Sequence, residues 1–324
     1  MDRTGIIAYL GTCWEKMNSY LRESLKSDIE LLQAVNDSLL GNTGKMLRPL
    51  VSLLIADACT GGNVPDDAIR YAAATELLHN ATLLHDDVAD EADTRRGVPT
   101  LRSSLGPCAA VLVGDFWLSS AMQLVVGTKH QDKATKRFSM AMSDLAAGEM
   151  LQLEKSMSAD TSVEDYLRIV RCKTASLFVV ASASAAVACE CSPQMLEAAH
   201  HYADALGIAF QIKDDILDYD GDGTLGKPVG IDLMEQKITL PLLCAMEGSS
   251  REQQIRQMVK DIPQHPEYCG QIRNFVHEAG GVRKASVILE AYVDKAVAAL
   301  GAFPDGRAKE YLAELARYKS IRTL

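Results

Sequence analysis

Apolar residues recur at three- and four-residue spacing along almost the whole chain, and the alternating runs typical of strands are scarce. Ala and Leu are plentiful while aromatic residues are thin, and this balance favours helix. Glycine and proline clusters divide the pattern into helical segments, of which the longest are 66–90, 107–126, 132–157, 173–190 and 193–219. The pattern therefore predicts an all-α protein in which residues 1–324 form a single domain, one large helical bundle.

Charge and composition narrow the classes of function. The 324 residues carry 33 basic and 43 acidic side chains, a formal net charge of −10, which argues against nucleic acid as a partner because phosphate backbones bind basic surfaces. The eight cysteines are scattered, which indicates free thiols in a reducing compartment. No signal-like segment follows Met1, and the most apolar stretch, 176–189, is too short and too rich in Ala and Ser for a membrane span. We expect a soluble, cytoplasmic protein.

Two aspartate clusters lie inside apolar helical patterns, and their first residues are 128 positions apart. At about 100° per residue, each cluster occupies one side of its helix. The first comprises Asp86, Asp87 and Asp90, of which Asp86 and Asp90 share one stripe with His79 and Thr82. The second comprises Asp214, Asp215 and Asp218, with Gln211 on the same stripe. Both clusters fall near the predicted C-terminal ends of long helices, where carboxylates oppose the helix dipole and need a compensating cation.

The type of ligand indicates which cation this is. Carboxylate clusters without Cys or His at ligand spacing suit Mg²⁺, which binds through one or two carboxylates together with substrate phosphates. A solvated helix face would explain one such cluster in an acidic protein, but two clusters indicate two walls of one metal–diphosphate site. The two clusters therefore predict Mg²⁺ as the bound cation.

Basic residues near both clusters predict where phosphate groups would bind. Arginine binds phosphate oxygens in a bidentate manner, whereas lysine supplies a mobile point charge. Each of these cations alone is most simply a surface charge, but together they indicate a site for two diphosphates. They are Lys45, Arg48, Arg95, Arg96, Lys173 and Lys227.

From Gly44 to Thr239 these motifs together resemble the trans-isoprenyl diphosphate synthases, the polyprenyl synthetase family. The resemblance implies an all-α bundle of the isoprenoid synthase type around a central active-site cavity, and commonly a homodimer. It implies a Mg²⁺-dependent prenyltransferase that condenses isopentenyl diphosphate with an allylic diphosphate. One departure from the family pattern is Met46, where many members carry a second basic residue.

The resemblance also implies a role for each matching residue. All six aspartates of the two motifs would bind metal ions, several Mg²⁺ ions for which Mn²⁺ could substitute. The allylic diphosphate would be held with the help of Arg95, Lys173 and Lys227, and Lys237 lies in a further motif that would contact the same diphosphate. Isopentenyl diphosphate would be bound by Lys45, Arg48, His79 and Arg96. Thr174 and Gln211 would face the reacting carbons, with Asp86, Asp87, Asp90, Lys173 and Asp214 as the other catalytic residues.

Product length depends in this family on residues before the first aspartate motif, here Ala81 and Thr82, neither of which is an aromatic residue. Leu78 lies farther along the same helix, and Phe138 is a candidate for a deeper floor, although ordinary core packing would also explain it. The sequence around the first aspartate motif resembles that of synthases of octaprenyl and nonaprenyl diphosphate, the precursors of quinone side chains. A short-chain synthase of the farnesyl or geranylgeranyl type and a non-catalytic subunit of a heteromeric synthase are the alternatives. A terpene cyclase fits less well because of the second aspartate motif and the second diphosphate site.

Overall fold

The computed structural model describes residues 3–41, 44–95, 97–220 and 230–317, and it is 80% helical. In chain order the α-helices are α1 (Arg3–Ser24), α2 (Glu30–Gly41), α3 (Leu47–Thr60), α4 (Asp66–Ala89), α5 (Leu101–Leu105), α6 (Pro107–Val125), α7 (Gln131–Ser158), α8 (Val163–Val170), α9 (Ser176–Ala188), α10 (Pro193–Asp220), α11 (Ile231–Met234), α12 (Leu240–Met246), α13 (Glu252–Asp261), α14 (Tyr268–Glu278), α15 (Gly281–Ala299) and α16 (Arg307–Arg317). A π-helical turn (Arg171–Ala175) joins α8 to α9, and a 3₁₀ turn spans Leu300–Ala302. The predicted all-α class is confirmed.

The predicted bounds of the longest helices agree with the structure to within a few residues. One difference is that the segment predicted as 173–190 begins inside the π-helical turn rather than at an α-helical start. A second is a small antiparallel hairpin, β1 (Thr94–Arg95) and β2 (Val98–Pro99), that the periodicity does not predict. Both differences lie next to predicted site residues.

The chain divides into two compact units, and every boundary between them falls inside a helix. Unit 1 comprises residues 1–140, 177–201 and 299–324, and unit 2 comprises residues 141–176 and 202–298. Division into compact units does not test the predicted single domain, which stays a prediction.

In unit 1, α4 packs against α1, α3 and α6, and α3 packs against α16. Small residues allow the close approach: Ala72, Ala73 and Ala74 of α4 are fully buried. Gly114 of α6 lies so near α4 that an added Cβ would be 2.3 Å from Nε2 of His85. Since His85 immediately precedes the first aspartate motif, this packing fixes the end of α4 that carries the motif.

In unit 2, a core of aliphatic and aromatic side chains from α8, α10 and α12–α15 surrounds the second half of α10. Close backbone contact occurs here too, because a Cβ on Gly281 would lie 2.2 Å from the carbonyl oxygen of Pro241. Side chains packed to this density leave little freedom to move, so α10 is a rigid support for the second aspartate motif.

Two helical stretches of the described chain are long and apolar enough to cross a membrane by length and composition alone, Pro107–Val125 and Val163–Ala188. The second is 67% buried in its most apolar window, which is the behaviour of a core helix, and the first is 44% buried. Because core helices of soluble proteins pass the same test, these stretches are weak indicators, and the absence of a membrane span stays a prediction.

Candidate functional site

The first aspartate motif occupies the C-terminal end of α4 in unit 1. Asp87 is buried, Asp86 is half-buried and Asp90, the residue after the last turn, is exposed. The hairpin that follows returns Arg95 to this helix end, where its Nε donates to Oδ1 of Asp87 at 2.7 Å. This ion pair neutralises the most buried of the three carboxylates and holds the Arg95 guanidinium at the motif.

The cations predicted to bind the second diphosphate lie at the start of α3. Lys45 and Arg48 are half-buried, and the Arg48 guanidinium stacks over the ring of Phe178 with its Cζ 4.9 Å from the centroid. Met46, the position that departs from the family pattern, is buried and adopts the left-handed conformation that starts the helix. The N-terminus of a 14-residue helix with two cations beside it is a favourable place for an anion.

The residues predicted to control product length lie in the interior of unit 1. Leu78 and Ala81 are almost completely buried on α4, and the Thr82 hydroxyl donates to the carbonyl of His79, itself half-buried, at 2.8 Å. Phe138 is fully buried, and its ring centroid is 6.4 Å from that of Tyr71. The burial and aromatic packing of Phe138 agree equally with a floor that limits the growing product and with ordinary core packing.

In unit 2, the π-helical turn carries Lys173 and Thr174, and two glycines of other helices press on it. A Cβ on Gly207 of α10 would lie 2.5 Å from the Cα of Ala175, and one on Gly148 of α7 would lie 2.6 Å from the Cβ of Cys172. Single π-turns inside longer helices are frequent at functional sites. Here the wide turn and the two close contacts hold the Lys173–Thr174 pair against α10.

Thr174 begins a chain of hydrogen bonds that runs into the core of unit 2. Its hydroxyl donates to Oε1 of Gln211 at 2.7 Å, and Nε2 of Gln211 donates to Oδ1 of Asp215 at 2.9 Å. The hydroxyl of Tyr166 donates to Oδ2 of the same aspartate at 2.6 Å. Burial, reinforced by the nearby carboxylate of Asp232, raises the pKa of Asp215 well above its usual range. The two hydrogen bonds act in the opposite direction and stabilise the buried carboxylate.

A cavity of about 160 Å³ with both polar and apolar lining residues lies beside this hydrogen-bonded chain, entirely within unit 2. Its polar lining residues are Gln152, Lys155, Ser156, Thr161, Tyr166, Lys173, Thr174, Gln211, Asp215, Asp232, Lys237 and Thr239. Lys173 forms an ion pair with Glu149 at 2.5 Å, and Lys237 forms one with Glu235. The cavity thus combines two cations suited to phosphate with two oxygen atoms, those of Thr174 and Gln211, suited to a carbocation.

The other two aspartates of the second motif have different surroundings. Asp214 is half-buried. Asp218 accepts the backbone N–H groups of Ile231 and Asp232, each at 3.3 Å, and its own carbonyl accepts the N–H of Gly230 at 3.1 Å. Asp218 therefore ties the end of α10 to the start of α11.

The oxygen donors present fit Mg²⁺, although among the described residues no three His, Cys, Asp or Glu side chains already converge on one point. Mg²⁺ needs only one or two protein carboxylates because phosphate oxygens and water complete its octahedron. Four of the six aspartates are at least partly exposed, so a hydrated ion can reach them; they are Asp86, Asp90, Asp214 and Asp218. Asp87 and Asp215 are buried and bonded to Arg95 and Tyr166. Binding of the metal by any of the six stays a prediction.

The structure gathers the predicted residues into two groups, one in each unit. Arg96 and Lys227 lie outside the described residues. Four contributors to the site were missed from the sequence: Tyr166, Glu149, Gly148 and Gly207. An isolated buried tyrosine or helical glycine carries no sequence signal of its own, so only packing identifies them.

Comparisons with known proteins identify relatives of this chain. The pattern of the polyprenyl synthetase family matches residues 29–276. The chain is 36% identical over 304 residues to the octaprenyl diphosphate synthase of Escherichia coli (strain K12), covering 93% of both chains. It is 41% identical over 249 residues to the all-trans-nonaprenyl-diphosphate synthase (geranyl-diphosphate specific) of Rhodobacter capsulatus, covering 76% of both chains. The crystal structure of a polyprenyl synthase from Caulobacter crescentus CB15, complexed with calcium and isoprenyl diphosphate, matches with a TM-score of 0.89 and 35% identity, covering 98% of this chain and 97% of that one.

Proposed function

This chain belongs to the polyprenyl synthetase family and is a prenyltransferase of the long-chain type, and we propose that it extends an allylic diphosphate with isopentenyl diphosphate in a Mg²⁺-dependent reaction. The observation that carries this proposal is the hydrogen-bonded Thr174–Gln211 pair in a cavity that Lys173 and Lys237 also line. Oxygen dipoles for a carbocation and cations for a diphosphate are the two requirements of an ionising allylic substrate.

The two substrates differ in which cations hold them. Lys173 and Lys237, which line the cavity of unit 2, bind the allylic diphosphate. Lys45 and Arg48 at the start of α3 bind isopentenyl diphosphate, and stacking on Phe178 fixes the Arg48 guanidinium. The Caulobacter crescentus protein was solved with calcium and isoprenyl diphosphate, which supports a divalent cation and a diphosphate in this fold.

The reaction follows from this placement of charge. Bound Mg²⁺ would neutralise the diphosphate and so make it a better leaving group. The allylic C–O bond breaks, its electron pair leaves with the diphosphate, and the oxygens of Thr174 and Gln211 stabilise the positive charge on carbon. The double bond of isopentenyl diphosphate then attacks the allylic carbon and forms the new C–C bond. The carbon next to the resulting cation loses a proton to the departing diphosphate, and a new double bond forms. Orienting the two substrates supplies much of the acceleration.

The product is a long polyprenyl chain, such as the precursor of a quinone side chain. The Escherichia coli and Rhodobacter capsulatus relatives are synthases of octaprenyl and nonaprenyl diphosphate, which supports this length. Ala81, five residues before Asp86, is small and carries no ring that would block a growing tail. The short-chain alternative predicts farnesyl or geranylgeranyl diphosphate instead.

A homodimer in the cytoplasm is the proposed state of the protein. Apolar side chains stay exposed on α5 and α6, notably Leu105, Val111 and Leu112, which is 62% exposed. A contact between two copies would cover them. Light scattering should give twice the monomer mass for the wild type, and Leu112→Glu should lower that mass. A monomeric wild type would contradict the dimer.

The test of the function is incubation with isotopically labelled isopentenyl diphosphate, Mg²⁺ and geranyl, farnesyl or geranylgeranyl diphosphate as primer. Chromatography of the dephosphorylated products should show chains longer than geranylgeraniol. Products no longer than geranylgeraniol would establish the short-chain alternative. No condensation with any primer would contradict the proposed function and favour the alternative of a non-catalytic subunit.

A further inference from the structure

Tyr166 lies at the inner end of the hydrogen-bonded chain that begins at Thr174. The chain runs from Thr174 through Gln211 and Asp215 to Tyr166, with donor–acceptor distances of 2.7, 2.9 and 2.6 Å. Thr174, Gln211 and Asp215 already have predicted places in the reaction. The inner end has no assigned role, although Tyr166 lines the cavity and is 4% exposed.

The chain determines which way the Gln211 amide points. Nε2 is the atom that donates to Asp215, so Oε1 must be the atom that accepts from Thr174. With the amide turned over, Oε1 would face a carboxylate oxygen at 2.9 Å, and two acceptors would repel each other. The carboxylate of Asp215 therefore keeps the carbonyl oxygen of Gln211 at the Thr174 end of the chain.

Tyr166 in turn determines where that carboxylate sits. Asp215 is 2% exposed, so protein donors rather than bulk water must satisfy its oxygens. The phenol of Tyr166 supplies the shorter of the two hydrogen bonds. Tyr166 is itself fixed, because it follows Asp165, which caps the start of α8 together with Ser162 and forms an ion pair with Lys155 at 3.1 Å.

We propose that Tyr166 is a positioning residue for prenyl transfer: by holding Asp215 it keeps the Gln211 carbonyl and the Thr174 hydroxyl oxygen directed at the charge that develops on the allylic carbon. This inference rests on the proposed function and deepens it. Tyr166 acts through two other side chains, those of Asp215 and Gln211. Its loss should therefore impair the chemical step and leave substrate and metal binding intact.

Tyr166→Phe removes one oxygen atom and keeps the ring in the core. Loss of one hydrogen bond to a charged group should lower kcat roughly ten- to hundredfold. KM for both diphosphates and the Mg²⁺ concentration for half-maximal activity should stay within about twofold of the wild type. Tyr202→Phe is the matched control, because Tyr202 is a fully buried tyrosine of unit 2 that does not line the cavity, and its kcat should equal that of the wild type. All rates are compared at a temperature at which circular dichroism shows each variant folded.

A double-mutant cycle tests the route of the effect. If Tyr166 acts through Gln211, Tyr166→Phe should cause no further fall in kcat when it is added to Gln211→Leu. Fully additive effects would overturn the proposal, as would an unchanged kcat for Tyr166→Phe alone.

A binding measurement distinguishes a positioning role of Tyr166 from a role in binding the metal. Inorganic diphosphate with Mg²⁺ should raise the melting temperature of the wild type and of Tyr166→Phe by the same amount. A smaller rise in Tyr166→Phe would mean that Tyr166 supports metal or diphosphate binding, and the proposal would be wrong. Failure of the proposed function is a different result, a wild type that condenses no primer, and it is recognised before any variant is compared.

Discussion

Replacing Gly207 with alanine should lower both the catalytic rate and the stability of the protein. An alanine Cβ at this position of α10 would lie 2.5 Å from the Cα and 2.8 Å from the Cβ of Ala175, whereas ordinary contacts begin at 3.4 Å. Helix α10 and the π-helical turn must therefore separate by at least about 0.9 Å, since neither contacted atom belongs to a flexible side chain. The same movement would stretch the 2.7 Å hydrogen bond between Thr174 and Gln211 to about 3.6 Å, beyond hydrogen-bonding range.

The loss of stability and the loss of rate can be estimated separately. Overpacking costs about 1–3 kcal/mol, and alanine recovers about 0.5–1 kcal/mol of that through its better helix propensity, so the net loss of stability is at most about 2.5 kcal/mol. Misplacing catalytic groups by about 1 Å can lower the rate roughly a hundredfold. We expect Gly207→Ala to fold, to unfold at slightly lower urea concentration, and to lose about two orders of magnitude in kcat.

Gly270→Ala is the control for this experiment. Gly270 lies in α14 of the same unit, and nothing lies within 4 Å of the position its Cβ would take. That variant should gain about 0.5–1 kcal/mol by propensity alone and keep full activity. Urea denaturation followed by circular dichroism gives the stabilities, and incorporation of labelled isopentenyl diphosphate gives kcat. A Gly207→Ala enzyme with the stability and activity of Gly270→Ala would refute the link between this close contact and the site.

Three further predictions concern the metal, the two diphosphates and the product. Asp86→Ala and Asp214→Ala should each lower kcat by about a thousandfold or more, because charge stabilisation worth several kcal/mol is lost; normal turnover in excess chelator would contradict the metal requirement. Lys45→Ala should raise KM for isopentenyl diphosphate roughly tenfold or more, and Lys173→Ala should do so for the allylic primer; the opposite pattern in steady-state kinetics would mean that the two assignments are exchanged. Ala81→Phe should shorten the product towards farnesyl or geranylgeranyl diphosphate, because a buried position has no spare space for both a ring and a polyprenyl tail; unchanged length in an active variant, measured by chromatography, would show that the tail does not pass this residue.

The long helices could be predicted from the sequence because their ends have local signals. The predicted segment 66–90 corresponds to α4, which starts after Pro65 and has two aspartates in its first turn. The predicted segment 193–219 corresponds to α10, which starts at a proline. Hydrophobic periodicity over segments this long, with proline or aspartate at their starts, predicts a helix more reliably than the helix propensities of single residues do.

The π-helical turn could not be predicted because it depends on packing. Arg171–Ala175 has no glycine or proline of its own, and its neighbours in sequence are helical. The residues that press on the turn are Gly148 and Gly207, which belong to α7 and α10 and lie far from the turn along the chain. Contacts between residues so distant in sequence leave no trace in hydrophobic periodicity.

The parts of the candidate site that consist of recurring charged residues could be predicted from the sequence. The parts that depend on a single side chain could not. Paired aspartate motifs and their flanking cations are recognisable because several charged residues recur at helical spacing. Tyr166 is one tyrosine in an amphipathic helix, and the sequence offers no reason to distinguish it from a core residue. Its contact with Asp215, 49 residues later, appears only in the folded chain.

The spacing of the second aspartate motif has a physical explanation in these surroundings. Neighbouring residues on a helix point about 100° apart, so Asp214 and Asp215 cannot share one environment. Asp215 faces the core and is held by Tyr166, whereas Asp214 stays half-buried. Asp218 lies one turn later, near the end of α10, where its carboxylate accepts the first N–H groups of the segment that follows. The second aspartate motif thus places its three carboxylates in three different environments. The sequence alone does not show which carboxylate occupies which environment. These different surroundings are what make the substitution effects of Asp214, Asp215 and Asp218 separable by experiment.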